Sequence, residues 1–199
     1  MKKKLFLLAI CLLLVAFCLV GCSGKEAIST VNKLRGKSYS SVNLTVIVST
    51  ADDDFESTFN VTYQDEFSYT VEFDIKRLAT FEGDIPDSFL ESYVGVATVQ
   101  DEKVVSVTGN LPDGMEIKDA DGHKLIFSDK TLTNVKDKDG VFTAKVSNPK
   151  GFMGQTNFAC KANSMSVRVN YTSRALTDIR IQYTSTSGNR VVLLFTYTL

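Results

Sequence analysis

The sequence predicts a mainly β protein: a single antiparallel curved sheet or half-open barrel of roughly ten strands, with one N-terminal helix. Apolar side chains recur at every second position through most of residues 42–75 and 165–183. This is the period of a strand that buries one face. Short polar or glycine-containing turns separate the alternating segments, as in antiparallel hairpins.

The helix is predicted at residues 25–35. Its apolar residues have helical spacing: Ala27, Ile28, Val31 and Leu34. Gly36 follows directly, and a glycine just past the last helical turn is a common stop signal. We expect this helix to pack its apolar side on the sheet.

The first three strands are predicted at residues 42–48, 55–63 and 67–75, with polar turns between them. They read as an antiparallel meander. The middle of the chain is less regular, with a capping-box helical turn after Pro86 and three hairpins. These hairpins join residues 94–99 to 103–108, 115–118 to 124–127 around Asp121-Gly122, and 132–135 to 141–146 around Asp139-Gly140.

Three strands close the chain, at residues 165–171, 179–183 and 190–198. Residues 191–195 of the last strand are apolar on both sides. An edge strand of this kind would invite aggregation, so this strand is predicted to be central in the sheet.

A basic and then apolar segment precedes this body. Lys2, Lys3 and Lys4 are followed by residues 5–20, which carry no charge. This pattern is typical of a secretory signal peptide and is short for a spanning helix. Leu19-Val20-Gly21-Cys22 resembles a bacterial lipobox, which implies a diacylglyceryl group on the Cys22 sulfur and a mature chain that begins there.

The resemblance divides the chain into a signal peptide (1–21), a lipid-anchored tether (22–24) and a single β-rich extracytoplasmic domain (25–199). It implies a lipoprotein held on the extracytoplasmic face of a cell membrane, whether inner or outer. Two acyl chains on one cysteine suffice for stable anchoring.

Composition argues against some partners and bonds. Loss of the three signal lysines leaves 19 basic and 23 acidic residues, a net charge of −4, without a basic cluster in the sequence. We therefore expect no nucleic-acid partner. Once Cys22 is acylated, only Cys160 remains in the body, so no internal disulfide forms and the core must hold the fold. Cys160 is interpreted as a small buried residue.

The sequence offers little for catalysis or metal binding. The one histidine, His123, lies in a turn, and no nucleophile or phosphate-loop motif is present. The Asp119/Asp121 and Asp137/Asp139 pairs resemble the start of a calcium loop but lack its later ligands. We expect no catalytic residue, no metal site, no cofactor and no enzymatic activity.

Phenylalanine is the more informative residue. Several lie on or beside predicted strands: Phe55, Phe59, Phe67, Phe73, Phe81, Phe127, Phe142 and Phe195. They could fill a core between sheet and helix or line an apolar cavity on a concave face. Both arrangements put phenylalanine on the same side of the sheet, so the sequence leaves them open.

The order of elements resembles the LolA-like lipoprotein carriers over about residues 25 to 199. That family combines an early helix, a long meander, an irregular middle and closing strands. The resemblance implies a half-open barrel whose concave face holds acyl chains, and it carries no diagnostic residue. Two functions follow as expectations: a membrane-anchored lipoprotein that binds an apolar or amphiphilic, lipid-like ligand, or a structural or protein-binding envelope module with a filled core.

Overall fold

The computed structural model describes residues 24–65, 67–76, 92–101, 103–110, 125–154 and 162–199. Ten of the described segments are strands, all in one antiparallel sheet, which confirms the predicted fold class. The strands are β1 Ser41–Ser49, β2 Asp54–Tyr63, β3 Tyr69–Lys76, β4 Ser92–Gln100, β5 Lys103–Gly109, β6 Leu132–Lys138, β7 Val141–Val146, β8 Ala162–Tyr171, β9 Leu176–Ser185 and β10 Arg190–Thr198.

The sheet consists of two meanders joined at their middle. Its strand order is β5-β4-β3-β2-β1-β10-β9-β8-β7-β6, so β5 and β6 are its edges and the sheet is open. β10 pairs with both β1 and β9. The prediction that the last strand is central is confirmed: Val191 and Leu193 are buried on one face of β10 and Val192 on the other.

A helix, α1, spans residues 24–35 and packs on one face of the sheet, called the inner face below. The four apolar residues predicted for its packing side are all buried in the main core. Gly36 donates its backbone N–H to the Asn32 carbonyl at 3.1 Å and closes the helix, as predicted.

A second helix, α2 (Pro149–Met153), was not predicted. Asn148 caps it by accepting the Gly151 N–H at 3.0 Å, and proline follows at the first helical position. Phe152 and Met153 are buried in the main core. The helix is too short to give the apolar periodicity on which sequence analysis depends.

Two sequence interpretations are corrected by the structure. Residues 125–127 were expected to form part of a strand, but they have no strand pairing. The Asn32 side chain takes the place of a strand partner for the Phe127 backbone: it donates to the Phe127 carbonyl at 2.8 Å and accepts the Phe127 N–H at 3.1 Å. The sequence predicts Phe67 on an alternating strand face, but Phe67 lies in a turn before β3 and is 48% exposed.

Several expectations lie outside the described residues. These are the signal peptide and lipobox with Cys22, the helical turn after Pro86, the strand at 115–118, and Phe81, Asp119, Asp121, His123 and Cys160. Among the helices that the structure does describe, none has the length and apolar character needed to cross a membrane.

Candidate ligand site on the inner face

The inner face is filled under its C-terminal half. One core cluster joins α1 and α2 to β1 and to β6–β10. Four phenylalanines in it are at most 1% exposed: Phe127, Phe142, Phe152 and Phe195. The Phe127 ring lies 6.0 Å, centroid to centroid, from both Phe142 and Phe152. This half therefore matches the filled-core alternative.

The N-terminal half of the inner face is organised differently. Two smaller buried clusters lie there, one of Val61, Tyr69, Val71, Ala97 and Val99, the other of Phe73, Ile75 and Tyr93. All their members belong to β2, β3 and β4. Among the described residues, α1 and α2 contribute to neither cluster, so both helices cover only the other half of the sheet.

Between the two halves, β2 carries a row of aromatic side chains that we call the aromatic seam: Phe55, Phe59 and Tyr63. Each is half-buried, whereas the inner-facing residues of neighbouring β1 are buried under α1. Phe59 lies between Leu44 and Phe73 in the strand register and packs against all three clusters. The seam is thus the border where the helix-covered core meets the buried clusters of β2–β4, to which neither helix contributes a described residue.

The chemistry of the aromatic seam suits an apolar chain with a polar end. The two phenylalanine rings offer apolar contact, and Tyr63 adds a hydroxyl beside them. Its ring lies 5.7 Å from that of Tyr69, centroid to centroid. Binding sites for amphiphiles combine an apolar lining with few polar groups in this way.

Two tyrosines outside the seam have a raised pKa. Burial raises the pKa of Tyr39, whose hydroxyl connects α1 to the start of β9, and a backbone hydrogen bond from Leu176 partly opposes this. Burial together with the adjacent Asp137 carboxylate raises the pKa of Tyr171 to about 12. The Tyr171 hydroxyl donates to Asp137 Oδ2 at 2.6 Å. Both tyrosines are neutral at ordinary pH and tie elements together.

The structure describes one of the two aspartate pairs considered for calcium. Asp137 accepts from Tyr171, and Asp139 occupies a hairpin turn with φ 52°, followed by Gly140 at φ 76°. These positive angles are those of an Asp-Gly hairpin turn, as the sequence predicted. Within the described ranges, no three histidine, cysteine or acidic side chains lie together as a metal-binding group.

Comparisons with known proteins add no identity. No protein-family model matches the chain, and no curated protein matches it. Among solved structures, the chain is similar to a LolA superfamily protein from Nitrosomonas europaea, with 10% identity and a TM-score of 0.31, over 87% of this chain and 91% of that one. It is also similar to the dehydratase domain from the CurF module of curacin polyketide synthase, with 7% identity and a TM-score of 0.24, over 86% of this chain and 79% of that one.

The first of these structures belongs to the superfamily that the order of elements resembles. Both TM-scores are too low for either likeness to carry an argument about ligand or activity. The fold itself defines a structural class: an open, ten-stranded antiparallel sheet with a helix-covered core on one half.

Proposed function

We propose that the protein is a non-enzymatic, membrane-anchored extracytoplasmic lipoprotein that binds an apolar or amphiphilic, lipid-like ligand along the aromatic seam. The anchor is a diacylglyceryl group on Cys22, supported by the lipobox resemblance of residues 19–22. The observation that carries the ligand proposal is the half-buried row of Phe55, Phe59 and Tyr63 at the border of the helix-covered core.

Burial energetics favour a ligand at this position. A half-buried phenylalanine still exposes apolar area, and covering apolar area contributes about 25 cal/mol per Å². Two aromatic rings covered by an acyl chain would together contribute roughly 2 kcal/mol, or about thirtyfold in Kd. An aqueous metabolite would gain little from the same surface.

The anchor is tested by metabolic labelling with radioactive palmitate in cells that make the full chain. Cys22→Ala should abolish both label incorporation and membrane fractionation, whereas Cys160→Ala should leave both unchanged. Equal labelling of the Cys22→Ala variant and the unmodified chain would refute the anchor.

The ligand is tested on a chain that begins at residue 24, called the anchor-free chain. It contains both helices and all ten strands, and its main core is assembled from residues within it. A fluorescent fatty acid should bind, and native mass spectrometry should detect a retained lipid. Phe59→Ala should weaken probe binding about fivefold, because one ring contributes on the order of 1 kcal/mol.

Phe67→Ala is the matched control, because this phenylalanine is exposed and outside the seam. Thermal unfolding of both variants separates a lost binding surface from a lost fold. Absence of probe binding and of any retained lipid in the folded anchor-free chain would refute the ligand proposal while leaving the anchor intact.

The edge strand β5 favours a second candidate function, a protein-binding envelope module. All seven of its residues are exposed, and Val104, Val105 and Val107 are 47%, 53% and 43% exposed. An exposed edge with apolar side chains can accept a strand from a partner. A photo-crosslinking residue at Val105 should capture a partner in cells, and the same residue at Thr133 on the opposite edge should not.

A further inference from the structure

The face of the sheet opposite α1, called the outer face, carries a groove of about 830 Å³ across β6–β9. Four basic side chains line it, one from each strand: Lys136, Lys145, Arg168 and Arg180. Lys136, Lys145 and Arg168 are exposed, and Arg180 is half-buried. No basic cluster is visible in the sequence, because these residues lie far apart in the chain. The fold brings them together.

The strand register concentrates positive charge in this groove. Arg168 and Arg180 are direct partners on β8 and β9, and like charges directly opposite each other destabilise a sheet. In the part of the chain that the structure describes, no carboxylate lies within 4 Å of any of the four cations. Arg168 Nε donates to Asn170 Oδ1 at 3.2 Å, which leaves its charge uncompensated.

One carboxylate lies nearby on the same face. Asp178 of β9 accepts from Asn170 Nδ2 at 2.9 Å through both of its oxygens. It is thus held by an amide and not by a cation. Among the described residues, four cations thus lie near a single carboxylate. This makes the groove positive, a charge that attracts an anionic partner.

The other half of the outer face is acidic. The register runs from Arg180 through Leu194, Thr45 and Thr58 to Asp74, so all five residues share this face. By the same alternation Glu72 of β3 and Glu56 of β2 also lie on it. The outer face therefore has a basic end at β6–β9 and an acidic end at β2–β3.

The proposed anchor enters at the basic end. Gly24 lies against the edge strand β6 from the inner-face side: a β-carbon at Gly24 would be 3.6 Å from the β-carbon of Val135, a residue that packs against the main core and also borders the groove. Two residues span at most about 7 Å, so the Cys22 sulfur is tethered within reach of this edge. A bilayer that holds Cys22 is thus near the β6 edge, where the basic groove begins, and far from the acidic end.

We propose that the basic groove docks on the surface of an anionic lipid bilayer and orients the anchored protein, with β6–β9 toward the membrane and β2–β3 away from it. This orientation rests on the proposed anchor at Cys22. Each basic side chain near an anionic surface increases partition about fivefold, and salt screens the attraction within a Debye length. A polyanionic polymer or an acidic protein would meet the same charges, and the test separates them from lipid.

The test is vesicle sedimentation of the anchor-free chain, so its result does not depend on the anchor. Vesicles contain 30% phosphatidylglycerol in phosphatidylcholine, or phosphatidylcholine alone. The chain should bind the anionic vesicles at 0.1 M salt, lose binding at 0.5 M salt, and ignore the neutral vesicles. Arg168→Gln with Arg180→Gln should lower binding about twenty-fivefold.

The control pair is Lys103→Gln with Arg174→Gln, which removes the same charge from exposed positions outside the groove; it should bind like the unaltered chain. If the arginine pair impairs folding by circular dichroism, Lys136→Gln with Lys145→Gln replaces it, because both lysines are exposed. Equal weakening by the groove and control pairs would overturn the proposal, since binding would then depend on net charge alone.

Two other outcomes would also overturn it. One is the absence of binding to the anionic vesicles at 0.1 M salt. The other is preferential binding of soluble polyglutamate or a polyphosphate over the vesicles, which would assign the groove to an acidic chain or polymer. Failure here leaves palmitate labelling and the fatty-acid assay unaffected, so it is distinguishable from failure of the proposed function.

Discussion

Tyr39→Phe tests how the helix is fastened to the sheet. The Tyr39 hydroxyl donates to the Leu34 carbonyl at the end of α1 at 2.9 Å and accepts the Leu176 N–H at the start of β9 at 2.9 Å. Its ring packs 4.9 Å, centroid to centroid, from Tyr197 of β10. One buried oxygen thus joins three parts of the main core, and the substitution removes that oxygen while keeping the ring.

The magnitude follows from which backbone groups lose their partner. The Leu34 carbonyl keeps a second donor, the Lys37 N–H at 3.1 Å. The Leu176 N–H loses the tyrosine oxygen at a buried position. One unsatisfied buried donor costs about 1 to 3 kcal/mol. For a domain of this size each kcal/mol lowers Tm by about 2 to 4 °C, so a fall of roughly 2 to 12 °C is expected.

The assay is thermal and urea unfolding of the anchor-free chain, monitored by circular dichroism. Tyr171→Phe is the control, because it also removes one hydroxyl but breaks a half-exposed bond to Asp137. A Tyr39→Phe variant as stable as the unaltered chain, or less affected than Tyr171→Phe, would refute the assigned role of the hydroxyl.

Three further predictions concern local contacts and pH. Gly95→Ala should lower the free energy of unfolding by about 1 to 3 kcal/mol in urea unfolding, because the new β-carbon would lie 2.3 Å from the Thr108 carbonyl oxygen of β5 and 2.4 Å from a ring carbon of Phe73 in β3. Gly36→Ala is the control and should cost little in the same experiment, since its β-carbon would meet nothing closer than 3.7 Å. Asn32→Ala should cost about 1 to 3 kcal/mol and speed hydrogen exchange at Phe127, because both of its bonds to that backbone disappear. The pKa of Tyr171 is about 12 in the folded chain against 10.0 for the free side chain, so the stability that the neutral hydroxyl contributes is complete below pH 10 and is lost toward pH 12. Between pH 9.5 and 11.5, the urea midpoint of Tyr171→Phe should therefore fall less than that of the unaltered chain.

The sequence predicts strands well where side-chain alternation is strong. Residues 42–48 alternate buried and half-buried positions as expected, and the apolar run of 191–195 marks a strand covered on both faces. Alternation fails where burial has another cause. Leu125 and Phe127 are buried at alternate positions, yet they are not in a strand. The backbone of Phe127 is hydrogen-bonded by the Asn32 side chain of α1 and not by a neighbouring strand.

The candidate sites were less accessible to sequence analysis, for a reason of geometry. The aromatic seam was visible as alternation in β2, but its half-buried state depends on which strands α1 covers. The basic groove draws one residue from each of four strands, so no sequence window contains it. Only the register, which pairs Arg168 with Arg180, makes it a surface.

The pairing of β1 with β10 has a consequence for how the chain reaches its native state. Next to this pairing, Ser40 and Thr198 are hydrogen-bonded although they are 158 positions apart. All the remaining strand pairings in the sheet join strands that are consecutive in sequence. A ribosome delivers β10 after the other nine strands, so the first meander must wait with the β1 edge unpaired until residues 190–198 have emerged. Such distant pairing slows folding and exposes the nascent chain to aggregation, and a truncation before residue 190 would leave two half-sheets with no strand to join them.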